Sequence, residues 1–241
     1  QYPLAEVLRA FRIRHLGALV GDVGIDITVQ QHRASGGKGF ADVDDCLSFQ
    51  NDSTKVAGYL AGHVYGNTYV NIKGGHVWED VFGGGQVACT GWVDGSTLKN
   101  GVATVKMTGG IIGPLDYTGL NAYIFGGPKG GSNDQMKPYV NLNGTEVEVN
   151  YTTSASNRVW GSLFGGGSDG HVIGNAKVTL KNGTVGTDGT TGYDGNIFGG
   201  GRNYRETSLS AGRVGGNIDV IMQGGTLQGN IYGGGRQSLT G

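Results

Sequence analysis

Three sets of side chains in this chain have the types and spacing that chemistry would need. The first is acidic: Glu79-Asp80 sit beside Trp78, and Asp42, Asp44 and Asp45 flank Cys46. Clustered carboxylates are the usual material of general acid–base work. The second is basic: Arg158, Arg202 and Arg236 lie near glycine runs, and the last two hold the same phase of successive repeats. A stacked arginine pair beside acids could withdraw a proton and neutralise a carboxylated substrate. Gln86 and Ser168 occupy that phase in other repeats, which favours a surface charge row. The third is aromatic: Trp78, Trp160, Tyr123 and the loop residue Tyr193. On one outward face these rings would stack against sugars or a partner; otherwise they pack under loops.

Other chemistries find less material. His15, His32, His63, His76 and His171 show no metal-ligand spacing. No Gly-Lys-Ser/Thr closes a phosphate loop, and no helical pattern opens after the glycines. Gly167-Ser168-Asp169-Gly170 comes near a calcium-repeat signature only once, with Asp188 and Asp194 nearby. Aspartate in such turns usually serves turn geometry, so no cofactor is expected and Ca²⁺ is the weaker alternative. Asn51, Asn143, Asn150 and Asn182 begin N-glycan acceptor triplets, which arise readily by chance in a chain rich in Asn, Gly and Thr.

What must position these residues is a repeat. An apolar residue, an aromatic and a glycine run recur around Phe82, Phe125, Phe164, Phe198 and Tyr232, spaced 43, 39, 34 and 34 residues apart. Upstream of each unit a strand alternates with period two. Val70, Val105, Val147, Val178 and Val220 hold one phase, and Ile72, Met107, Val149, Leu180 and Met222 follow two residues on. A shorter apolar position precedes that strand at Val64, Leu98, Val140, Val172 and Val214. Another follows it at Val77, Ile112, Val185 and Leu227. The shortest segments add to about 26 residues per circuit, the length of one coil of a stacked β-solenoid. Extra length enters at Pro114 to Asn121 and Gly186 to Asn196, always at one phase, and in the loops Gln86 to Ser96, Pro128 to Lys137 and Arg202 to Gly212. Loops on a rigid scaffold are where function is expected.

Two apolar neighbours cannot both face one core unless the chain bends between them, and the glycines would allow that bend. The aromatics then read as an internal stacked ladder, with an exposed sugar-gripping stripe as the sharper alternative. Residues 1–58 follow the scheme less well. Ile25, Ile27 and Val29 suggest a degenerate early coil, and Pro3 to Phe11 a short capping helix, with a strand at Phe11 to Arg14 as the rival. Residues 59–241 carry the regular repeats.

Bulk composition bounds the classes. In 241 residues there are 50 Gly, 4 Pro and a formal charge of −1, which speaks against a general nucleic-acid binder. No apolar run approaches the roughly 18 residues of a membrane span. Cys46 and Cys89 are the only cysteines, and one disulfide or two buried thiols are equally open. The chain starts at Gln1 without an initiator Met and stops within a repeat, so it reads as a processed product or a piece of something longer.

The unit Gly-Asn-x-x-Val-x-(apolar)-x-Gly-Gly-x-(apolar), closing on (apolar)-Phe/Tyr-Gly-Gly-Gly, resembles the glycine-rich repeats of very large surface proteins of gut-type bacteria. More generally it is similar to right-handed parallel β-helices of the pectin-lyase type, over residues 56 to 241. The resemblance implies an all-β, right-handed parallel β-helix of about six coils. It implies an adhesin-like, non-catalytic module at the cell surface or outside the cell, a stalk segment or a filament subunit. End-to-end self-association, continuation of a larger chain, and glycans are its expected partners. The alternatives are a carbohydrate-active β-helix enzyme, whose catalytic Arg or Lys cannot be matched to positions here, and a phage fibre segment.

Overall fold

In the computed structural model, residues 25–30, 62–94, 97–113, 122–130, 140–186, 195–204 and 211–240 are described. Among them there is no helix, and the strands form stacks in which chain neighbours from successive repeats lie side by side. After β1 (Ile25–Gln30) come β2 (Asn67–Ile72), β3 (His76–Val77) and β4 (Val81–Phe82). A hairpin of β5 (Trp92–Asp94) and β6 (Thr97–Lys99) follows, then β7 (Val102–Met107), β8 (Gly110–Ile112) and β9 (Ile124–Phe125). The short β10 (Val140–Asn141) leads to β11 (Gly144–Asn150), β12 (Asn157–Val159) and β13 (Leu163–Phe164). Next are β14 (His171–Val172), β15 (Asn175–Asn182), β16 (Thr184–Val185) and β17 (Ile197–Phe198). The series closes with β18 (Ile218–Met222), β19 (Thr226–Leu227) and β20 (Ile231–Tyr232).

Among the described residues three sheets are of five or six strands: β1-β2-β7-β11-β15-β18, β3-β8-β12-β16-β19 and β4-β9-β13-β17-β20. Within these three sheets every pairing is parallel except that of β1 with β2; beside them β10 pairs β14 in parallel, and the β5–β6 hairpin is antiparallel. Each successive set of three strands forms one tier, and this all-β parallel stacking is compatible with a β-helix or solenoid. Register follows the sequence phase. Val70, Val105, Val147, Val178 and Val220 are mutual partners in turn, as are Ile72, Met107, Val149, Leu180 and Met222. A one-residue slip would turn each buried column outward, so burial itself pins the register. These columns build the aliphatic core, joined by Val81, Ile124, Leu163 and Ile197 from the third sheet.

Three positions differ from the sequence expectation. Leu98 lies in the β5–β6 hairpin, and its place in the column is taken by Thr90, which bridges Val64 on one side and Asn141 on the other. Val140 is likewise displaced by its neighbour Asn141, which pairs with Val172. Both substitutes are polar, so an apolar search passes over them. In the second sheet the third tier is supplied by Val159, partner of Ile112 and Val185. Its strand is delayed by the 151–156 stretch, where buried Tyr151 donates its hydroxyl proton to the Thr184 carbonyl and accepts the Val159 N–H at 3.0 Å.

Ile25, Ile27 and Val29 do form a strand, but β1 runs antiparallel to β2, unlike a further parallel coil. Residues 1–24, with the expected capping helix, and the boundary at residue 58 lie outside the described residues.

The glycine units owe their composition to close approach. Gly83, Gly126, Gly165 and Gly199 do not have positive φ. A Cβ on any of them would meet the carbonyl oxygen of the equivalent glycine one tier on. It would also press on the first sheet, 3.1 Å from a methyl of Val105 at Gly83 and 3.1 Å from one of Val178 at Gly165. Successive tiers therefore approach too closely at this phase to admit a side chain.

Candidate functional site

Aliphatic and aromatic members of the repeated unit do not share a core. Val81, Ile124, Leu163 and Ile197 belong to the aliphatic cluster, whereas Phe125, Phe164, Phe198 and Tyr123 form a separate one with Phe82 against it. Strand alternation is kept, and the aromatic row lies on the other face of the third sheet. The expected bend that would bring both residues into one core is absent. The rings nevertheless stack: Phe82–Phe125 at 5.0 Å, Phe125–Phe164 at 4.7 Å, Phe164–Phe198 and Phe198–Tyr232 at 4.8 Å between centroids. Phe125 and Phe164 are fully buried; Tyr232, at the end of the row, is exposed.

Over part of this row lies the charged cluster around Arg202. The backbone row Gln86, Lys129, Ser168, Arg202 and Arg236 runs parallel to the ladder, each bridged to the next. From it Arg202 turns back over the aromatics, its guanidinium carbon 4.9 Å from the Tyr123 ring, 4.9 Å from Phe125 and 4.7 Å from Tyr204. It donates to the Ser168 hydroxyl at 3.1 and 3.4 Å. Its closest carboxylate oxygen on Asp80 is 3.8 Å away. Asp80 also accepts the Tyr123 backbone N–H at 2.9 Å. Lys129 stands 5.6 Å over Phe82. One arginine thereby joins residues from four tiers.

The electrostatics follow from burial. Burial pushes the Asp80 carboxyl up from its ordinary value, opposed by the Tyr123 N–H and by the Arg202 and Lys129 charges, while Glu79 adds to the rise. Burial likewise lowers the Arg202 guanidinium, against the support of Asp80, Tyr123 and Asp169. A cation held by ring faces, a hydroxyl and one carboxylate is a packed structural group. Its Nε and Nη2 donors reach the Ser168 hydroxyl, and Nη2 lies nearest Asp80. Arg236 is half-buried in the next tier of the same backbone row.

Each remaining candidate has a local employment. Trp78 is exposed and lies against His76 at 3.9 Å. Trp160 is half-buried, with Arg158 covering its ring at 4.4 Å and Gly113 pressed against its Cβ. The residues preceding them, Val77 and Val159, both pair with Ile112, so the two indoles hold one phase with Gly113 between. Tyr193 lies outside the described residues. Asp169 accepts the Tyr204 backbone N–H at 2.7 Å and holds a left-handed turn at φ 60°. No group of three or more metal-binding side chains occurs among the described residues, and Asp188 and Asp194 lie outside them. Arg158 itself donates to the Gly186 carbonyl at 2.9 Å.

Sequence reasoning singled out Tyr123 and Arg202 but not their meeting, nor the parts of Lys129, Ser168 and Tyr204. The signal for Lys129 and Ser168 was the shared phase with Arg202; for Tyr204 there was none. Cys89 is buried and disulfide-bonded, which resolves the open choice at that residue; Cys46 lies outside the described residues. Comparison with family models, curated proteins and solved structures found no match to this chain.

Proposed function

We propose that the chain is a non-catalytic structural module of the cell surface or extracellular space, a right-handed parallel β-helix of about six coils. It acts as a stalk segment or as the subunit of an adhesive filament. The observation that carries this reading is the position of Arg202. The residue best suited to proton abstraction is buried against three aromatic rings and Ser168, and the neighbouring acid, Asp80, is tied to the Tyr123 backbone. The groups that a lyase would turn toward an acidic glycan here bind one tier to the next. Support for the surface location comes from the resemblance of the repeats to those of bacterial surface proteins.

Incubation with a panel of uronate polysaccharides is the direct test, with the expected result of no unsaturated product. Unsaturated product would overturn the reading in favour of the enzyme. A trimeric mass in solution would point to a fibre segment instead.

A further inference from the structure

The last tier presents β18, β19 and β20 with a strand on one side only. Exposed apolar groups lie there: Met222 is 44 % exposed, Ile231 47 % and Tyr232 43 %. An apolar face alone does not say what covers it. Two further features do.

The first is glycine chemistry. At Gly83, Gly126, Gly165 and Gly199 the missing side chain is explained by the carbonyl oxygen of the following tier's glycine. Gly233 occupies the same phase, yet a Cβ there would meet nothing within 4 Å. The next position repeats the contrast. A Cβ on Gly127, Gly166 or Gly200 would come within 2.6, 2.6 or 2.7 Å of a backbone nitrogen one tier on, whereas on Gly234 the nearest atom is the Thr240 hydroxyl at 3.8 Å. Both glycines keep a space that the described tiers do not fill.

The second is a set of side-chain acceptors aimed along the stack. Asp80 Oδ1 accepts the N–H of Tyr123 at 2.9 Å, Ser162 Oγ that of Asn196 at 3.0 Å, and Asn196 Oδ1 that of Asn230 at 2.8 Å. On the first sheet Asn67 Oδ1 accepts the Val102 N–H at 3.0 Å and Asn175 Oδ1 the Asn217 N–H at 2.9 Å. In each case a tier accepts from the tier after it. Asn230 and Asn217 hold these phases in the last tier, and both are exposed.

We infer that the face formed by β18, β19 and β20 is a docking surface for one kind of occupant: a further parallel coil of this same glycine-rich repeat. The occupant brings a glycine carbonyl over Gly233, backbone N–H groups to Asn217 and Asn230, and an aromatic ring onto Tyr232. Antiparallel pairing would not put these groups opposite their partners. A second copy docking by its first tier would find the β2 edge already paired with antiparallel β1. This deepens the structural-module reading and rests on it, but the tests separate: polysaccharide turnover would sink the module reading without touching coil docking.

The experiment appends a copy of residues 216–240 after Gly241, in phase because Thr240 already bridges Val214. Amide hydrogen exchange at Ile231 and Tyr232 should slow on the order of tenfold or more relative to the 241-residue protein. Gly233→Ala should be silent in the 241-residue protein, where Gly165→Ala lowers Tm sharply. In the extended protein Gly233→Ala should lower Tm by roughly 5 °C or more. Unchanged exchange in the extended protein overturns the inference. So does a Gly233→Ala loss in the unextended protein equal to that of Gly165→Ala, which needs no extended chain to fold. Concentration-dependent association of the unextended protein that Gly233→Ala abolishes would overturn it too, making the occupant a second copy.

Discussion

The guanidinium of Arg202 stands 3.8 Å from the carboxylate of Asp80, and the two reach each other across tiers, from the row beyond β17 to the turn before β4. Neither has a sequence neighbour of opposite charge that would hold it as well. Removing one partner strands the other in a site that burial already makes unfavourable for charge. Arg202→Met should therefore destabilise the fold by about 3–5 kcal/mol, and Asp80→Asn by less, because its amide still accepts the Tyr123 N–H. In denaturant unfolding, a double-mutant cycle should return a coupling of about 0.5–3 kcal/mol. Additive losses would mean that the rings, not the acid, hold the arginine.

The aromatic row predicts a gradient. Phe164 is fully buried, with rings on both sides at 4.7 and 4.8 Å, while Tyr232 is exposed and has a ring on one side only. Phe164→Ala should cost about 3–5 kcal/mol by cavity formation and lost stacking. Tyr232→Ala should cost about 1 kcal/mol in the same urea titration. Equal losses at the two positions would show that the end of the row is covered in solution.

These two sites also mark how far the sequence could be read. The Val, Ile/Met/Leu and aromatic columns were legible because burial on one face forces a period of two, and each tier repeats it in register. Thr90 and Asn141 were not, because polar residues filling an apolar column break the pattern without breaking the backbone bridge. Val159 was hidden by a local insertion. The Arg202 cluster was legible only as residues: phase placed Arg202 beside Ser168, but nothing in the spacing says that its side chain folds back over Phe125. Side-chain direction from a corner depends on which neighbouring groups remain unpaired, and that is decided between tiers.

Cys89 is buried and bonded, and its sulfur accepts the Val140 N–H at 3.3 Å. Cys89→Ser should lower stability by about 2–4 kcal/mol, the range for losing a loop-closing disulfide. Alkylation of the unreduced, denatured protein followed by mass measurement should leave Cys89 unmodified. Its labelling without reductant would contradict the bonded state.

Acid should weaken the protein through two histidines. Burial holds His63 down at about 4, and burial with the Arg213 charge holds His171 at about 4, both from 6.5. The unfolded chain takes up these protons near pH 6.5, whereas the folded chain waits until about 4, so the unfolded state binds more protons throughout that window. Stability is complete above the unfolded value and falls as pH drops toward the folded one, by on the order of 3 kcal/mol per histidine. Asp80 acts in the opposite sense. Its raised carboxyl contributes stability at pH below the unfolded carboxylate value, and that contribution is lost as pH rises through the folded value. A His63→Gln, His171→Gln variant should thus show a flatter stability profile between pH 7 and pH 4 than the parent, in urea unfolding at roughly half-unit steps. In the parent protein, NMR titration should place both imidazole midpoints near 4. Midpoints near the ordinary histidine value would remove the cause of the acid loss, and the two profiles should then coincide.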